Sequence, residues 1–463
     1  MEEKEEKIKK SLKYSIFDGA FYWMMVGFGE SFIAAFAVFL KATNIQLGLL
    51  SSLPKAFGSL SQLFSNWLIG IFKTRKRIVC ISSFLQGFMY IPIALVFFFG
   101  ELSIPILIIF VCLYWVFGVI GNPAWSSWMG DLVSDENRGD YFGNRNKIGN
   151  LVSFVSLLLA GYILQKFSTG TFMEYTGFCI IFSLAFVSRI ISFFYLTRQY
   201  EPEYEFAPNA NFSFMQFVKQ ARFRNYGLFV FYLSLMNFGV YISAPFFTPY
   251  MLYDLKLNYT AFTIITAVAL ITKFAMMPVW GKLSDKYGTK KVLVLAGFLM
   301  PATPILWIFS TNIYYLMFAQ VFAGFSWAGF DIASFNFIFD TTKREKRATC
   351  VAYYNVLTGF AIFVGAILGG LIVKYNSFFW SKYYIVFIIS FVMRYAASFI
   401  FLPKLREVRI VEEISSRKLL MKALTTRPSS GLVSNIMNFR RNNNGNVKSP
   451  RFMFKLPMRK KKP

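Results

Sequence analysis

The sequence GKLSDKYGTKK, residues 281–291, separates two apolar runs, 261–281 and 291–309. Its two glycines permit a tight turn and a close approach of helices. Asp285 suits the N-terminal end of a neighbouring helix, where negative charge is favoured, and the lysines suit anionic headgroups. Each flanking run is about 20 residues long, which a helix needs to cross ~30 Å of hydrocarbon. The stretch therefore predicts a short basic turn between two membrane-spanning helices.

Similar apolar runs fill most of the chain, which is 56% hydrophobic with a mean hydropathy of +0.48. Strands of a membrane barrel would be short and alternating. These runs are long and continuous, and a helix satisfies its own backbone hydrogen bonds in lipid. We expect twelve spans: 15–40, 48–72, 78–99, 104–129, 147–168, 174–197, 224–250, 261–281, 291–309, 312–338, 349–373 and 382–403.

The longest connection, 198–223, divides the spans six and six. The predicted fold is thus an all-α polytopic membrane protein of two six-helix bundles, 15–197 and 224–403. A short N-terminal segment, 1–14, precedes them and a basic tail, 404–463, follows. With the N-terminus inside, the inner loops hold nineteen Lys and Arg and the outer loops five. The positive-inside rule therefore predicts a cell-membrane protein with both termini cytoplasmic.

The two halves repeat each other. A shift of 209 residues lays Asp131 on Asp340 and Arg138 on Arg347, so each half has an Asp-x6-Arg pair after its fourth span. A shift of 205 lays the Phe-Val-x-Arg segment that ends at Arg189 on the one that ends at Arg394. Six helices per half make the repeats parallel, and a site between such halves is a recurrent transporter design.

The turn at 281–291 closely resembles the G-x-L-x-D-[RK]-x-G-[RK]-[RK] loop of the major facilitator superfamily. Its counterpart in the first half, 66–76, keeps the basic end but has Gly70 where the family has Asp. Residues 125–146 resemble a bacterial and archaeal subgroup of that family. The resemblance implies a cytoplasmic gate, for which our candidates are Gly281, Asp285, Lys286, Gly288, Lys290, Lys291, Asp131, Arg138, Asp340 and Arg347.

Several charged residues fall inside the spans, where each costs about 2.5–3.5 kcal/mol at the bilayer centre and is a functional candidate by default. The resemblance places helices 1, 4, 7 and 10 around a central cavity and helices 3, 6, 9 and 12 at the periphery. Arg189 and Arg394 are therefore expected to be buried structural residues, paired within their own halves. The substrate or coupling candidates are Glu30, Asn122, Trp125, Trp128, Asn237, Lys273, Trp327 and Asp331.

Two interpretations stay open for these candidates. Glu30, Lys273 and Asp331 act directly in function, by substrate contact, proton coupling or gating, or they form buried structural pairs. For Glu30 the structural partner would be a cation such as Arg189. The tryptophans either line the cavity or pack in a chain that is 20% aromatic.

The sequence offers no cofactor or metal site. Histidine is absent, and the four cysteines, Cys80, Cys112, Cys179 and Cys350, lack metal-ligand spacing. No Gly-rich nucleotide loop of the G-x4-G-K-[ST] type occurs. The favoured function is secondary active transport of a small solute by alternating access, proton-coupled or not, by a monomer. The alternatives are a lipid scramblase or flippase, a membrane enzyme, and a non-transporting receptor on the same fold.

The tail carries sixteen Lys and Arg against three Glu, half of the net charge of +26. Anionic lipid attracts such a segment by ~1 kcal/mol per charge. No nucleic-acid-binding fold accompanies it, so the expected partner is anionic lipid. The spacing of Leu405, Val408, Val411 and Ile414 predicts a short interfacial helix.

Overall fold

The computed structural model describes residues 2–133, 138–203, 224–342, 347–376, 381–409 and 411–426. Within these ranges the chain is helical, with turns and extended connections and no strand. Ten helices are long and apolar enough to cross a membrane, and one of them, Arg75–Leu132, contains two spans. The helical segment from Asn44 to Phe72 adds another, which confirms the expected twelve.

The spans of the first half are formed by Glu2–Phe28 with Ile33–Phe39, Asn44–Ser61 with Ser65–Phe72, Arg75–Phe88 with Tyr90–Leu95, Ser103–Ile120 with Asn122–Leu132, Arg138–Lys166, and Thr171–Thr197. Those of the second half are Asn225–Ser243 with Phe247–Pro249, Tyr259–Tyr287, Thr289–Leu299 with two 3-10 turns to Ile308, Ile313–Thr341, Arg347–Tyr375, and Tyr384–Phe401. They are called spans 1 to 12.

Glycine and proline interrupt several spans. Span 1 breaks at Gly29, and residues Glu30–Phe32 form a 3-10 turn before the helix resumes. Span 4 breaks at Gly121, just before Pro123. Proline removes one helical hydrogen bond and crowds the preceding turn, which bends a helix. The break in span 1 puts an acidic residue, Glu30, at the bend.

Spans 2 and 11, and spans 5 and 8, join the two halves through small residues. A Cβ on Gly161 would lie 2.2 Å from the hydroxyl of Thr263, and one on Gly48 would lie 2.6 Å from the Ala366 carbonyl. Small residues let membrane helices approach until their backbones touch. These contacts fix how the halves sit against each other.

The end of the bundle that carries loops 73–77 and 282–291 is called the basic end, and the other the opposite end. At the opposite end the halves share one hydrophobic core. The Phe32 and Phe262 rings lie 6.2 Å apart, and Tyr259 donates to Glu174 at 2.5 Å. The interface between the halves is therefore closed at this end.

At the basic end each half keeps its own core. One cluster contains Trp128 and Ile78 with residues of the first half alone. The other contains Trp280 and Phe337 with residues of the second half and the tail. The hydrophobic core is thus shared at one end and divided at the other, where a hydrogen bond of 3.0 Å from Asn355 to Gln62 still joins spans 11 and 2.

The helix expected at 405–414 is wrong. Residues after Leu405 run without helix under the second half, and a helix forms later, at Ser416–Thr425. It begins where the Ser415 hydroxyl accepts from the amide of Lys418, a standard N-cap. Residues 427–463 lie outside the described part of the chain, so their contact with lipid stays a prediction.

Candidate functional site

Glu30 lies at the bend of span 1 and accepts a hydrogen bond of 2.8 Å from the Tyr114 hydroxyl of span 4. Tyr114 is fully buried and meets the Tyr90 ring edge-on at 5.2 Å. Gly29 makes room for this cluster, because a Cβ there would lie 2.4 Å from Tyr90. The Glu30 side chain itself is partly exposed. The tyrosine pair therefore holds the Glu30 side chain in place through a neutral hydroxyl donor and leaves it partly accessible.

Lys55 of span 2 is a further candidate site residue that the sequence analysis missed. Its ammonium donates to the Tyr241 hydroxyl of span 7, so the bond crosses from one half to the other. It also lies 4.6 Å from the Tyr241 ring and 5.6 Å from Trp115, distances that suit cation–π attraction. Lys55 lies within electrostatic range of Glu30. A lysine inside an apolar run, next to Pro54, was the available signal.

Lys273 and Asp331 form an ion pair of 2.5 Å between spans 8 and 10 in the second half. Their side chains are 29% and 35% exposed, so the pair faces open space. Trp327 lies one helical turn before Asp331, on the same face of span 10. A Cβ on Gly324 would lie 2.5 Å from the Ala269 carbonyl, so this glycine lets the two helices approach closely. The second half thus holds a partly exposed ion pair of its own.

The remaining polar and aromatic candidates divide into different environments. Asn237 donates to the Leu233 carbonyl of its own helix at 2.8 Å. Asn122 and Trp125 line a cavity within the first half, and Glu30 is not among the residues that line it. Trp128 is fully buried and donates to the Tyr200 carbonyl at 2.9 Å, which favours the packing interpretation for this residue.

Arg189 and Arg394 are both buried and occupy equivalent places in spans 6 and 12. Arg189 donates to Ser192 and Ser83, and Arg394 donates to Thr303 and Ser243. Within the described ranges Arg189 makes no ion pair with Glu30. Among the described residues, neither arginine forms an ion pair with Glu30 or Asp331.

At the basic end the loop 281–291 is bound by the tail. Arg409 donates to Asp340 at 2.7 Å and to Asp285 at 3.4 Å. The hydrogen bond from Arg409 to Asp340 raises the pKa of Arg409 above its ordinary value, so the guanidinium stays charged. Glu407 accepts from the Lys290 amide at 2.8 Å, at the N-terminus of span 9. In this conformation the partner of Asp285 is therefore a tail residue.

The other loop residues have separate roles. Lys286 pairs weakly with Glu412 at 3.6 Å. Gly288 has φ +95, which a residue with a side chain rarely adopts, and it ends span 8. No hydrogen bond is seen from the Lys291 side chain to the parts of the chain described. Gly281 has open space around it.

The first half has a corresponding network. Arg75 is fully buried and bonds Asp131 at 2.5 Å. Glu201 accepts from the Arg75 amide at 2.7 Å, at the start of span 3, as Glu407 does at the start of span 9. Asp131 and Asp340 thus each bind an arginine outside the Asp-x6-Arg pairing. The side chains of Arg138 and Arg347 lie outside the described set. Among the described residues the two networks do not touch each other.

Comparison with known proteins identifies the family. A model of the major facilitator superfamily matches the chain twice, over residues 16–249 and 229–443, which together include both halves. The chain belongs to the major facilitator superfamily. This family consists of transporters, not enzymes, so the chain is a membrane-embedded protein of a transporter family.

Solved structures agree on the fold. The nucleoside transporter NupG superposes with a TM-score of 0.66 at 15% identity, covering 86% of this chain and 100% of that one. The xylose transporter XylE from E. coli gives 0.60 at 12%, covering 88% and 100%. Its structure is a partially occluded inward-open conformation. At these identities the likeness concerns the fold alone.

Curated relatives match over shorter stretches. Vacuolar basic amino acid transporter 1 of Saccharomyces cerevisiae is 30% identical over 23% of this chain and 19% of its own length. The multi-drug resistance efflux pump PmrA of Streptococcus pneumoniae is 27% identical over 35% and 37%. A putative proline/betaine transporter of Staphylococcus aureus is 24% identical over 55% of each chain. The matches thus cover about a fifth to just over half of these relatives.

Proposed function

We propose that this protein is a secondary active transporter that moves a small polar solute by alternating access, with its site between Glu30, Lys55, Lys273 and Asp331. The observation that carries the proposal is the hydrogen bond from Lys55 to Tyr241, which joins the two halves at a charged point of an interface that is closed at the opposite end. A charge within a membrane span is costly and is retained where it serves transport. An interface closed at one end and separately packed at the other is one state of an alternating-access cycle.

We take the basic end to be cytoplasmic, because the lysine- and arginine-rich loops lie there. The conformation is then inward-facing. Relatives named for basic amino acids and for proline or betaine support a small polar organic solute, since such solutes carry the charges that Glu30 and Lys55 can bind. The site holds solute by hydrogen bonds and charge and does no covalent chemistry.

The experiment is solute flux into vesicles that contain the purified protein. A thermal-shift screen of amino acids, betaines, nucleosides and sugars selects solutes, and labelled versions are then tested for uptake. The site variant is Lys55→Met, and the matched control is Lys374→Met, a lysine at the end of span 11 away from the site. We expect Lys55→Met to lower uptake at least tenfold, which corresponds to the loss of a contact worth about 1.4 kcal/mol. Lys374→Met should leave uptake within about twofold of the unmodified protein.

Other results would point elsewhere. Saturable binding of a solute without flux would favour a receptor on this fold. Lipid scrambling in the same vesicles without solute flux would favour a scramblase. Equal loss in both lysine variants would remove Lys55 from the site.

A further inference from the structure

A cavity of about 170 Å³ lies inside the first half, between spans 1, 3, 4, 5 and 6. It is distinct from the proposed transport site, because Glu30, Lys55, Lys273 and Asp331 are not among its lining residues. Its charged lining residues are Asp18, Arg145 and Arg189, and its aromatic walls include Tyr22 and Trp125. The proposed transport mechanism leaves this cavity unused.

Asp18 and Arg145 form a satisfied pair. The Arg145 guanidinium donates to Asp18 at 3.1 Å and to the Ser15 carbonyl at 3.0 Å, and it lies 4.7 Å from the Trp125 ring. Ser192 donates to the other oxygen of Asp18 at 2.7 Å. This carboxylate can neutralise one guanidinium, and Arg145 is the one it contacts directly.

Arg189 is the second guanidinium, and its contacts are all neutral. It donates to Ser192 at 2.8 Å and to Ser83 at 3.0 Å, and it lies 4.9 Å from the Tyr22 ring. The residue is only 6% exposed, and its Nε has no hydrogen-bond partner in the described residues. An arginine cannot give up its proton in a protein, so the charge persists. The cavity therefore has a net charge of about +1 and a free donor in its wall.

The cavity has room for a ligand. A water molecule occupies roughly 30 Å³ of liquid, so the space suits an ion with a short apolar group or a few water molecules. A methyl group can pack against the aromatic walls, and the guanidinium can donate hydrogen bonds to one or two oxygens of the ligand. Asn122, at the rim, has an exposed amide that can donate to the same ligand.

We propose that this cavity binds one small monovalent anion, a short-chain carboxylate or an inorganic anion of similar size, at Arg189. Bound there, the anion neutralises the uncompensated guanidinium and accepts from its Nε. The site belongs to one half, so it binds in any state of the transport cycle that leaves that half folded. This function is independent of the solute that the central site moves.

The chain supplies its own control. Arg394 is the repeat equivalent of Arg189 and is 2% exposed. It donates to Thr303 at 3.1 Å, to Ser243 at 3.0 Å and to the Val240 carbonyl at 3.5 Å. It does not line the cavity. The variants Arg189→Gln and Arg394→Gln thus remove the same charge from equivalent helices, and only one should affect anion binding.

The test is isothermal titration of the purified full-length protein with sodium formate, acetate, L-lactate and chloride, in a sodium gluconate background of constant ionic strength. We expect one saturable site for at least one probe. Arg189→Gln should weaken binding about tenfold or more, and Arg394→Gln should leave it within about threefold. Preference for acetate or lactate would assign a carboxylate, and preference for chloride an inorganic ion.

Asp18→Asn tests the direction in which anion affinity changes when the charge of the cavity changes. Removing this carboxylate raises the cavity charge by one, so anion affinity should rise even though the fold loses an ion pair. A purely structural network predicts lower stability and no gain in affinity. If Arg189→Gln does not fold, Arg189→Lys, which keeps the charge but loses the planar donors, should bind more weakly than the unmodified protein. Absence of binding for all four probes, or equal loss in Arg189→Gln and Arg394→Gln, overturns the proposal.

Discussion

Glu30 and Lys55 have opposite charges and are close enough to interact, yet each is held by a tyrosine hydroxyl. If Glu30 and Lys55 formed a direct ion pair, a solute would have to separate them before it could bind to either charge. A neutral hydroxyl holds each group in place at lower cost and leaves its charge available. This arrangement favours a site whose two charges act on the cargo.

The first prediction concerns Glu30→Gln. Glutamine can still accept from Tyr114, so stability should fall by only about 1 kcal/mol, the difference between a hydrogen bond to a charged acceptor and one to a neutral acceptor. If Glu30 couples proton movement to transport, the variant should still exchange labelled solute across vesicles but lose uphill accumulation driven by a pH gradient. Exchange and accumulation are measured in the same vesicle preparation. Normal pH-driven accumulation by a stable variant would remove Glu30 from coupling.

The second prediction concerns the Lys273–Asp331 pair. Asp331→Asn leaves a lysine without its partner and should lower stability by about 1–2 kcal/mol. This is less than the 3–5 kcal/mol of a fully buried pair, because these side chains are about a third exposed. The exchange variant Lys273→Asp with Asp331→Lys should recover most of the melting temperature. If the pair only stabilises the fold, the exchange variant also recovers flux. If solute binding requires the lysine on span 8 and the aspartate on span 10, flux stays low.

How far the sequence predicts this site is clear residue by residue. Glu30, Lys273 and Asp331 are detectable because a charge in an apolar run is costly. Lys55 obeys the same rule, since it follows Pro54 inside the apolar run 48–72. The partners are invisible in the sequence, since Tyr114 and Tyr241 lie 84 and 186 residues from the groups that they bind. Only the packing of distant spans brings them together.

At the scale of elements, the tail segment 405–426 acts as a strap under the second half. Leu419 and Ala423 of its helix are buried in the core of that half. Arg409 and Glu407 bind the ends of spans 8, 9 and 10. These contacts explain why the expected helix at 405–414 is absent. The apolar spacing there is helical, but the extended backbone lets both charged side chains reach their partners.

The third prediction compares two truncations. Deleting 427–463 keeps the whole of Ser416–Thr425 and every contact described above, so we expect the melting temperature to stay unchanged. Deleting 405–463 also removes the strap and should lower stability by about 2–5 kcal/mol, the burial of Leu405, Leu419 and Ala423 together with the Glu407 contact at a helix N-terminus. Melting is followed in detergent by intrinsic fluorescence. Equal melting of the two truncations would show that the strap does not stabilise the fold.

The fourth prediction concerns the loop 281–291 as a gate. Asp285 is 72% exposed, and its contact with Arg409 is long, so Asp285→Asn should cost less than about 1 kcal/mol of stability. If the gate depends on this carboxylate when the basic end closes, flux should nevertheless fall several-fold. The control is Gly70→Asp in the first-half loop, where a new Cβ meets nothing within 4 Å. Unchanged flux in Asp285→Asn would remove the gate function.

For the whole molecule, the sequence predicts the two halves and the number of spans, because long apolar runs and the repeat leave few alternatives. It does not predict which end of the interface is closed. The two states of such a molecule use the same helices and differ by a few kcal/mol at most. The closed end is visible only in contacts between the halves, such as Phe178 against Tyr259 at 5.9 Å.

The fifth prediction tests whether the closed end must open. A Cβ on Gly161 would lie 2.6 Å from the Thr263 Cβ across the two halves, so Gly161→Cys with Thr263→Cys needs only a small shift to reach disulfide distance. The oxidised variant should lose flux, and dithiothreitol should restore it, because a bond at the opposite end prevents the halves from separating there. The matched control joins Gly324→Cys to Thr272→Cys, a glycine–threonine contact of 2.8 Å within the second half. Its disulfide should leave flux unchanged, since spans 8 and 10 move together when the halves rock as bodies. Full flux through the oxidised Gly161–Thr263 variant would mean that the solute crosses without separation of the halves at the opposite end.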